Sequence, residues 1–183
     1  MTTSARHPRR LDPLPADKWD DRTRAAVASL IPPERATPAG VGNVLATLVH
    51  HPDLTQAYLP FNAYLLRGST LCPRIREVAL LRVVYRRDCE YLWFHHLPIA
   101  QRAGLTADDI DAIRLGELPG EEDQAVVEAV DELIDAADIS ADVWTELGRH
   151  FTDEQRMDLV FTIGGYCLLA MAVNTFGIED ETV

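Results

Sequence analysis

The sequence of residues 74–103 reads RIREVALLRVVYRRDCEYLWFHHLPIAQRA, and this stretch decides the fold. Its apolar residues recur at the spacing of one helix face and predict two helices, 74–85 and 89–103, joined by a short break. Glu77 lies among the apolar residues of the first helix. One face of the second helix carries Cys89, Leu92, His96, Ile99 and Ala103. We therefore expect a tight helical hairpin in which a carboxylate, a thiol and an imidazole face one another.

The rest of the chain shows helical periodicity and no strand-like alternation, so the sequence predicts an all-α fold. Residues 1–16 contain three prolines and are expected to form an extended tail, followed by a single all-helical domain at 17–183. Residues 31–42 are rich in proline and glycine and predict a loop, which is a candidate lid. The predicted helices outside the hairpin are 17–30, 43–50, 53–66, 106–115, 121–137, 140–150 and 153–176.

The charge of the chain limits its partners. Its 183 residues carry a formal net charge of -12, and phosphate groups are bound by clustered Lys and Arg, so neither nucleic acid nor an anionic membrane is an expected partner. No segment is expected to be apolar for long enough to span a bilayer. The three cysteines form no CxxC pair, which is typical of free thiols in a reducing cytoplasm. The sequence therefore predicts a cytoplasmic protein.

The three reactive groups of the hairpin differ in setting. Glu77, in mid-helix with apolar neighbours, must find a partner or take up a proton. His96 is the expected partner, and such a pair can move protons. Asp88 occupies the expected N-cap position, which would place Cys89 in the first turn, where the helix dipole tends to lower a thiol pKa. A small buried hydrophobe is an equally good interpretation of Cys89.

Other side chains of the hairpin are candidates for substrate binding. They are His95, Arg74, Glu90, Tyr91 and Trp93. The last three offer a carboxylate, a hydroxyl and a flat wall, and the arginines of this region could hold a substrate carboxylate. Adjacent histidines on a helix diverge, so His95 and His96 are a poor chelating pair for one metal, and no metal site is predicted.

Three segments of this region resemble the carboxymuconolactone decarboxylase family, which includes the alkylhydroperoxidase-D-like proteins. The segments are LCPRIRE (71–77), RDCEYLWFHH (87–96) and AQRAGLT (100–106). The resemblance is strongest over residues 70–115. A glutamate, a thiol twelve positions on and a His-His pair form its most specific combination.

The resemblance implies an all-helical fold whose subunits assemble as trimers or hexamers. Antioxidant members use a glutamate, a CxxC pair and a histidine, at positions that correspond here to Glu77, Cys89, Leu92 and His96. Leu92 replaces the second cysteine, so the dithiol cycle that reduces peroxides is missing. The decarboxylase branch requires neither the CxxC pair nor a cofactor. Cys72 stands where many relatives carry a serine that caps the first helix of the hairpin.

The sequence therefore favours a cofactor-free lyase, decarboxylase-like or an isomerase, that acts on a small carboxylated, conjugated or lactone-type substrate. In this hypothesis Glu77 and His96 perform the acid–base chemistry. One alternative is a single-cysteine thiol peroxidase that uses Cys89 with an outside thiol. Another is a non-catalytic oligomeric module that binds a hydrophobic ligand. A metal site built from Glu77, Cys89 and His96 is a more remote alternative.

Overall fold

The computed structural model describes residues 8–181, and this part of the chain contains α-helices, two short 3-10 helices and no strand. The expected all-α class is confirmed. The described residues group into two compact units, Ser69–Met171 and the remainder on either side of it. The division into a tail at 1–16 and one domain at 17–183 stays a prediction. The helices are α1 (Asp21–Ala26), α2 (Pro38–Leu48), α3 (Pro52–Arg67), α4 (Pro73–Arg86), α5 (Glu90–Arg102), α6 (Ala107–Leu115), α7 (Glu121–Ala136), α8 (Ala141–His150) and α9 (Asp153–Phe176).

Helix α4 lies at the centre of the unit Ser69–Met171. It packs against α5, α6 and α7, and α7 packs in turn against α8. Apolar side chains surround α4, and a helix without a polar face must be covered on all sides. Its buried apolar residues are Ile75, Val78, Ala79, Leu80, Leu81, Val83 and Val84. Two charged residues, Glu77 and Arg82, share this interior and therefore require partners.

Arg82 joins α4 to two neighbouring helices. Its Nε and Nη2 donate to the two carboxylate oxygens of Asp131 on α7, at 2.8 and 2.6 Å. Its Nη1 donates to the carbonyl oxygens of Ile113 and Arg114 at the end of α6, at 2.7 and 2.8 Å. These carbonyls lie in the last turn of α6, where a helix has no partners of its own for them. One buried guanidinium thus fixes the relative positions of α4, α6 and α7.

The joint between α4 and α5 differs from the predicted one by one residue. Asp88 adopts a left-handed conformation with φ 50°, and the next amide, Cys89 N–H, donates to Val84 O at 2.9 Å. This pattern closes the end of α4 and makes Cys89, not Asp88, the N-cap residue of α5. The predicted N-cap role of Asp88 is therefore wrong, because the residue is used to end the preceding helix.

Several helix ends follow the predicted capping patterns. Thr106 and Asp109 form a reciprocal capping box at the start of α6, and Gly116 ends that helix in the left-handed conformation. Ser140 accepts a hydrogen bond from Val143 N–H at the start of α8. Thr152 and Gln155 exchange hydrogen bonds in the same way at the start of α9, which extends over the predicted residues 153–176.

The other unit contains α1, α2 and α3, with α3 packed against both α1 and α2. The described part of the predicted tail, from Pro8, is non-helical up to the 3-10 helix Ala16–Lys18. It is tied down where Leu14 N–H donates to Ala46 O at 2.8 Å, and residues 1–7 lie outside the described chain. The core of this unit is formed by Leu14, Trp19, Val27, Ala36, Ala46, Val49 and Leu59.

The predicted helix 17–30 and the predicted loop 31–42 are only partly correct. Asp20 caps α1 by accepting from Thr23 N–H, so the helix begins later and ends earlier than expected. Within 31–42, Thr37 caps the start of α2 at Pro38, and Gly42 interrupts that helix with φ 79°. The segment is thus largely turn and helix. This does not support its interpretation as a loop that acts as a lid.

Helix α9 departs from the expectation that no segment is long and apolar enough to cross a membrane. By length and composition its 24 residues meet that criterion, with a mean hydropathy of 1.7 over its most apolar window. Half of this window is buried inside the protein, and the core helices of globular proteins meet the same criterion.

Candidate active site

The Glu77 carboxylate and the His96 imidazole form a hydrogen bond across the α4–α5 hairpin. His96 Nδ1 lies 2.9 Å from Glu77 Oε2. An ionised carboxylate only accepts hydrogen bonds, so beside it Nδ1 carries the hydrogen and Nε2 is the ring nitrogen not used in this bond. The Glu77 side chain is fully buried, whereas the His96 side chain keeps 10% of its surface exposed. The hairpin therefore brings together the two residues predicted to form an acid–base pair.

Two further residues contact this pair. Arg76 Nε lies 3.6 Å from Glu77 Oε1, and neither atom has a hydrogen-bond partner within the described chain. The Tyr166 ring of α9 packs edge-on against His96, with 5.5 Å between the ring centres and 88° between the planes. Sequence reasoning included Arg76 only in a cluster of arginines and missed Tyr166. No local pattern indicates Tyr166, because α9 is distant along the chain and meets His96 only in the fold.

An open groove of about 500 Å³ lies beside the start of α5. Its wall is aromatic: the Tyr85 and Trp93 rings have centres 5.9 Å apart, and the Arg114 guanidinium lies 4.7 Å from the centre of the Trp93 ring. The remaining lining residues are Val84, Arg86, Asp88, Cys89, Glu90 and Phe94. Trp93 precedes His96 by three residues, so the groove begins about one helical turn from the imidazole.

Cys89 lies in the groove wall and away from the Glu77–His96 pair. Seven residues at a rise of 1.5 Å separate it from His96 by roughly 10 Å along α5. Its side chain is buried, and burial raises the thiol pKa to about 11, although a hydrogen bond from the Leu92 backbone acts in the opposite direction. The expected lowering of this pKa by the helix N-terminus is therefore wrong, because desolvation of a thiolate outweighs the helix-terminus effect.

Arg74 binds two carboxylates of its own chain. Its Nη2 lies 2.6 Å from Asp123 and 3.3 Å from Asp109, and its Nη1 also donates to Gly104 O at 3.1 Å. These contacts hold the starts of α6 and α7 against α4, and the two carboxylates raise the pKa of the guanidinium above its ordinary value. The predicted role of Arg74 in holding a substrate carboxylate has no support in this arrangement, because the side chain is occupied by two acidic partners.

The other predicted substrate-binding residues fall into two groups. Glu90 and Trp93 line the groove, with Glu90 exposed and Trp93 6% exposed. Tyr91 and His95 instead stack on each other, with ring centres 4.1 Å apart. Tyr85 and Arg114 are groove residues that sequence reasoning did not select. Arg114 belongs to α6, which only the fold brings against α5.

One group of possible metal ligands lies within Ser69–Met171, away from the hairpin. Glu121, Glu146 and His150 place their ligand atoms within 4.8 Å of one another. Glu146 already pairs with Arg149 at 2.5 Å and with His150 at 3.1 Å, and all three members of the group are at least partly exposed. We therefore assign this group to surface ion pairing. The alternative metal site at Glu77, Cys89 and His96 is not supported, because Cys89 lies roughly 10 Å from His96 along α5.

The all-helical arrangement around the α4–α5 hairpin is an alkylhydroperoxidase-D-like fold. Residues 52–135 match the model of the Carboxymuconolactone decarboxylase family. The matched residues include Glu77, Cys89 and His96, and the match confirms the family resemblance predicted from the sequence. The assignment to the branch that lacks the CxxC pair stays a prediction. No curated protein sequence matches the chain.

Solved structures confirm the fold. A peroxidase-related protein from Ralstonia eutropha JMP134, described as an alkylhydroperoxidase AhpD core, is similar with a TM-score of 0.74 at 20% identity, covering 93% of each chain. A peroxidase-related protein from Silicibacter sp. TM1040 has a TM-score of 0.73 at 16% identity, covering 99% of this chain and 96% of that one. A protein of unknown function from Agrobacterium tumefaciens, described as a candidate antioxidant defence protein AhpD, has a TM-score of 0.64 at 20% identity, covering 69% of this chain and 90% of that one.

Proposed function

We propose that this protein is a cofactor-free acid–base enzyme, a lyase or isomerase, that acts on a small conjugated substrate bearing a carboxylate or lactone. The observation that carries the proposal is the 2.9 Å hydrogen bond between the buried Glu77 carboxylate and His96 Nδ1. Such a bond holds the imidazole in one tautomer and orientation, which leaves Nε2 as the proton-transferring atom. The family match supports the substrate class.

The proposed decarboxylation step balances without a cofactor. The bond between the substrate carbon and its carboxylate breaks, carbon dioxide leaves, and the electron pair moves into the conjugated carbonyl of the substrate. His96 in its protonated form, with a hydrogen on each ring nitrogen, then delivers the Nε2 proton to carbon and becomes neutral, and solvent restores that proton to Nε2. In an isomerisation the same Nε2 would remove a proton from one carbon and return it to another.

The thiol alternative is weaker for two reasons. At neutral pH a thiol with a pKa of about 11 provides very little thiolate, which is the nucleophile in peroxide reduction. The position that would hold a second, resolving cysteine is Leu92. The structural neighbours share 16–20% identity with this chain, which supports a common fold only. Their peroxidase-related descriptions therefore apply to those proteins.

The test uses a panel of unsaturated carboxylic acids and lactones as substrates. Turnover is measured by the loss of their conjugated absorbance and by deuterium incorporation in heavy water. We expect Glu77→Gln and His96→Gln each to lower turnover at least about 100-fold, the low end of the contribution of a positioned acid or base. The matched controls are Glu146→Gln and His150→Gln, which alter a second Glu–His pair at the surface and should leave turnover unchanged.

A third variant separates the acid–base proposal from the thiol alternative. Cys89→Ser should retain turnover on the same substrate. Full activity of both hairpin variants, with circular dichroism showing that they are folded, would overturn the proposal. Hydroperoxide consumption that depends on Cys89 and not on His96 would replace it with the thiol alternative.

A further inference from the structure

The groove beside the start of α5 contains a guanidinium held over a tryptophan ring. Arg114, on α6, lies 4.7 Å from the centre of the Trp93 ring, and Trp93 itself is 6% exposed. Cation–π attraction restricts the motion of such a guanidinium and leaves N–H donors at its edge. A binding group that is oriented before its ligand arrives loses less entropy when the ligand binds. Arg114 is therefore a pre-oriented donor at the wall of the groove.

The Arg114 guanidinium has further donors available for an anion. Its Nη1 donates to Asp111 Oδ1 at 3.0 Å, and the two side chains are 43% and 69% exposed. A guanidinium carries five N–H donors, and an exposed ion pair between neighbours on one helix is weak. Arg86, the other arginine of the groove, is instead bound by Asp131 and Asp135, each at 2.7 Å. Of the two arginines, Arg114 is thus the one able to receive a carboxylate.

Two aromatic rings of the groove are open to solvent. Tyr85 is 46% exposed and Phe94 is 57% exposed, and both line the groove. Its volume of about 500 Å³ lies within the range of roughly 300–1,000 Å³ that is typical of small-molecule sites. Aromatic pairs gain free energy beyond the burial of their area, so a planar aromatic ligand is favoured over a saturated one of the same size.

Charge decides between an anionic and a cationic ligand. The Trp93 ring would attract a cation, but the Arg114 guanidinium already lies over it, so a second cation there would meet a like charge. The acidic lining residues are Asp88 and Glu90, and both are exposed, so solvent weakens their effect on a ligand. A ligand carboxylate beside Arg114 meets an opposite charge and a fork of donors. The arrangement therefore favours an anion at Arg114.

We infer that the groove binds an aromatic carboxylate, with its carboxylate on Arg114 and its ring against Tyr85 and Phe94. Tyr85 and Arg114 lie outside the three segments that resemble the carboxymuconolactone decarboxylase family, so those segments do not account for the site. The groove begins about one helical turn from the His96 imidazole. The identification of the bound acid as the substrate rests on the proposed function, whereas the binding itself does not.

Isothermal titration calorimetry of the full chain with three probes tests the class of ligand. The probes are 2-naphthoate, its neutral amide 2-naphthamide and its saturated analogue decahydro-2-naphthoate. We expect 2-naphthoate to bind roughly tenfold more tightly than the amide and roughly threefold more tightly than the saturated acid, because the first lacks the charge and the second lacks the aromatic ring. Equal affinity for 2-naphthoate and 2-naphthamide, or no binding of 2-naphthoate at about 5 mM, would overturn the inference.

Arg114→Gln tests the carboxylate anchor. It should weaken the binding of 2-naphthoate at least about tenfold and leave that of 2-naphthamide nearly unchanged, so the amide reports that the groove is still formed. Arg156→Gln is the matched control, because Arg156 lies 4.3 Å from the centre of the Trp144 ring, outside the groove, and should change neither affinity. Equal losses for both probes in Arg114→Gln would contradict the anchor.

Glu90→Gln distinguishes an anion from a cation in the groove. The removal of a like charge should tighten the binding of 2-naphthoate, because Glu90 lines the same groove. If the substitution weakens 2-naphthoate, or if phenyltrimethylammonium binds the wild-type protein more tightly than 2-naphthoate does, the groove is a cation site and the inference is wrong.

Phe94→Ala tests the aromatic wall. It should weaken 2-naphthoate and 2-naphthamide to a similar degree, because both place a ring against Phe94. If both affinities stay unchanged and the sedimentation coefficient of the variant falls, the Phe94 ring belongs to a contact between chains, and the inference is again wrong.

Glu77→Gln separates the site from the proposed function. Its affinity for 2-naphthoate should equal that of the wild-type protein, because Glu77 does not line the groove, whereas its turnover is expected to fall. Arg114→Gln should raise the KM of an aromatic acid substrate at least about tenfold. Binding that depends on Arg114, with no turnover of the acids tested, would refute the proposed function and support the site. Turnover that depends on Glu77, with an unchanged KM in Arg114→Gln, would refute the site and support the proposed function.

Discussion

Glu77 is a carboxylate with no exposed surface in the most buried helix of its unit. Its burial is costly unless partners compensate, and the partners found are the His96 imidazole at 2.9 Å and the Arg76 guanidinium at 3.6 Å. Replacement of such a group by a packed apolar residue often stabilises a protein. The retention of a carboxylate here is therefore better explained by chemistry than by stability, which is why the acid–base proposal rests on this residue.

Cys89 should behave as an unreactive thiol. In a Cys72→Ser/Cys167→Ser variant it is the sole thiol, and we expect its alkylation rate to rise with pH towards a midpoint of about 11, because burial disfavours the thiolate. The same protein unfolded in urea, in which Cys89 is solvated, provides the control, with a midpoint near the ordinary value of 9.0. A midpoint below that value in the folded protein would restore the thiol alternative.

The titration of Cys89 also has a consequence for stability. Its folded-state pKa is raised above the unfolded value of 9.0, so folding favours the neutral thiol. The contribution to the free energy of unfolding is therefore fully present below pH 9 and is lost as the pH rises from 9 towards 11. In Cys89→Ser this part of the alkaline loss of stability should be absent.

At the level of elements, α4 begins without a side-chain cap. Cys72 is the N-cap residue and its side chain accepts no hydrogen bond, while Ser69 and Thr70 donate or accept elsewhere. Cys72→Ser should raise the free energy of unfolding by about 1 kcal/mol, because a serine hydroxyl at this position can accept from an N–H of the first turn. Cys72→Ala is the control and should give no gain in a urea titration. An equal gain in both variants would show that the cap is not the cause.

The Arg82–Asp131 contact is expected to be a principal link among α4, α6 and α7. Arg82→Met should lower the free energy of unfolding by about 3 kcal/mol, since it leaves two helix-end carbonyls without their donor and Asp131 with Arg86 as its remaining partner, at 2.7 Å. Asp131→Asn should cost less, and a double-mutant cycle between the two residues should give a coupling of at least about 1 kcal/mol. The surface pair Arg22–Asp53, with both side chains more than half exposed, provides a comparison whose coupling should be near zero.

Asp131 also gives this link a pH dependence. Burial alone would raise the pKa of its carboxyl, but hydrogen bonds and charge from Arg82 and Arg86 lower it below its ordinary value of 3.8. A lowered folded-state pKa contributes stability above the unfolded value, and this contribution is lost as the pH falls through the folded value. The loss of wild-type stability below about pH 4 should therefore be shallower in Asp131→Asn. An identical acid limb in both proteins would contradict this assignment.

The elements that the sequence predicted well are those defined by local patterns. The capping box at Thr106 and Asp109 and the start of α9 after Thr152 depend on residues within one turn. The Glu77–His96 pair was also predictable, because a buried carboxylate needs a partner and the hairpin offers one. Prediction failed where a residue serves two neighbours at once: Asp88 ends α4 and so does not cap α5.

Contacts between helices that are far apart along the chain could not be predicted from local patterns. Arg74 was interpreted as a substrate ligand because its positive charge was visible and its partners, Asp109 and Asp123 on other helices, were not. Tyr166 meets His96 only because α9 passes beside α5 in the fold. Charge and periodicity place a residue on a helix face, but the identity of the facing helix requires the structure.

On the scale of the whole molecule, α9 supplies one wall of the candidate active site. A buried face of this helix holds Tyr166, 2% exposed, against His96. Any contact that orders α9 from outside therefore also fixes one wall of the imidazole environment.

The assembly expected from the family resemblance should make the thermal stability of the protein depend on its concentration. Ligand-like binding of a second copy to the folded chain stabilises it by mass action, and a tenfold rise in concentration should raise the unfolding midpoint by roughly 2 °C. Differential scanning calorimetry over two decades of concentration measures the effect. A midpoint that is constant for the wild-type protein would show that assembly does not contribute to the stability of the fold.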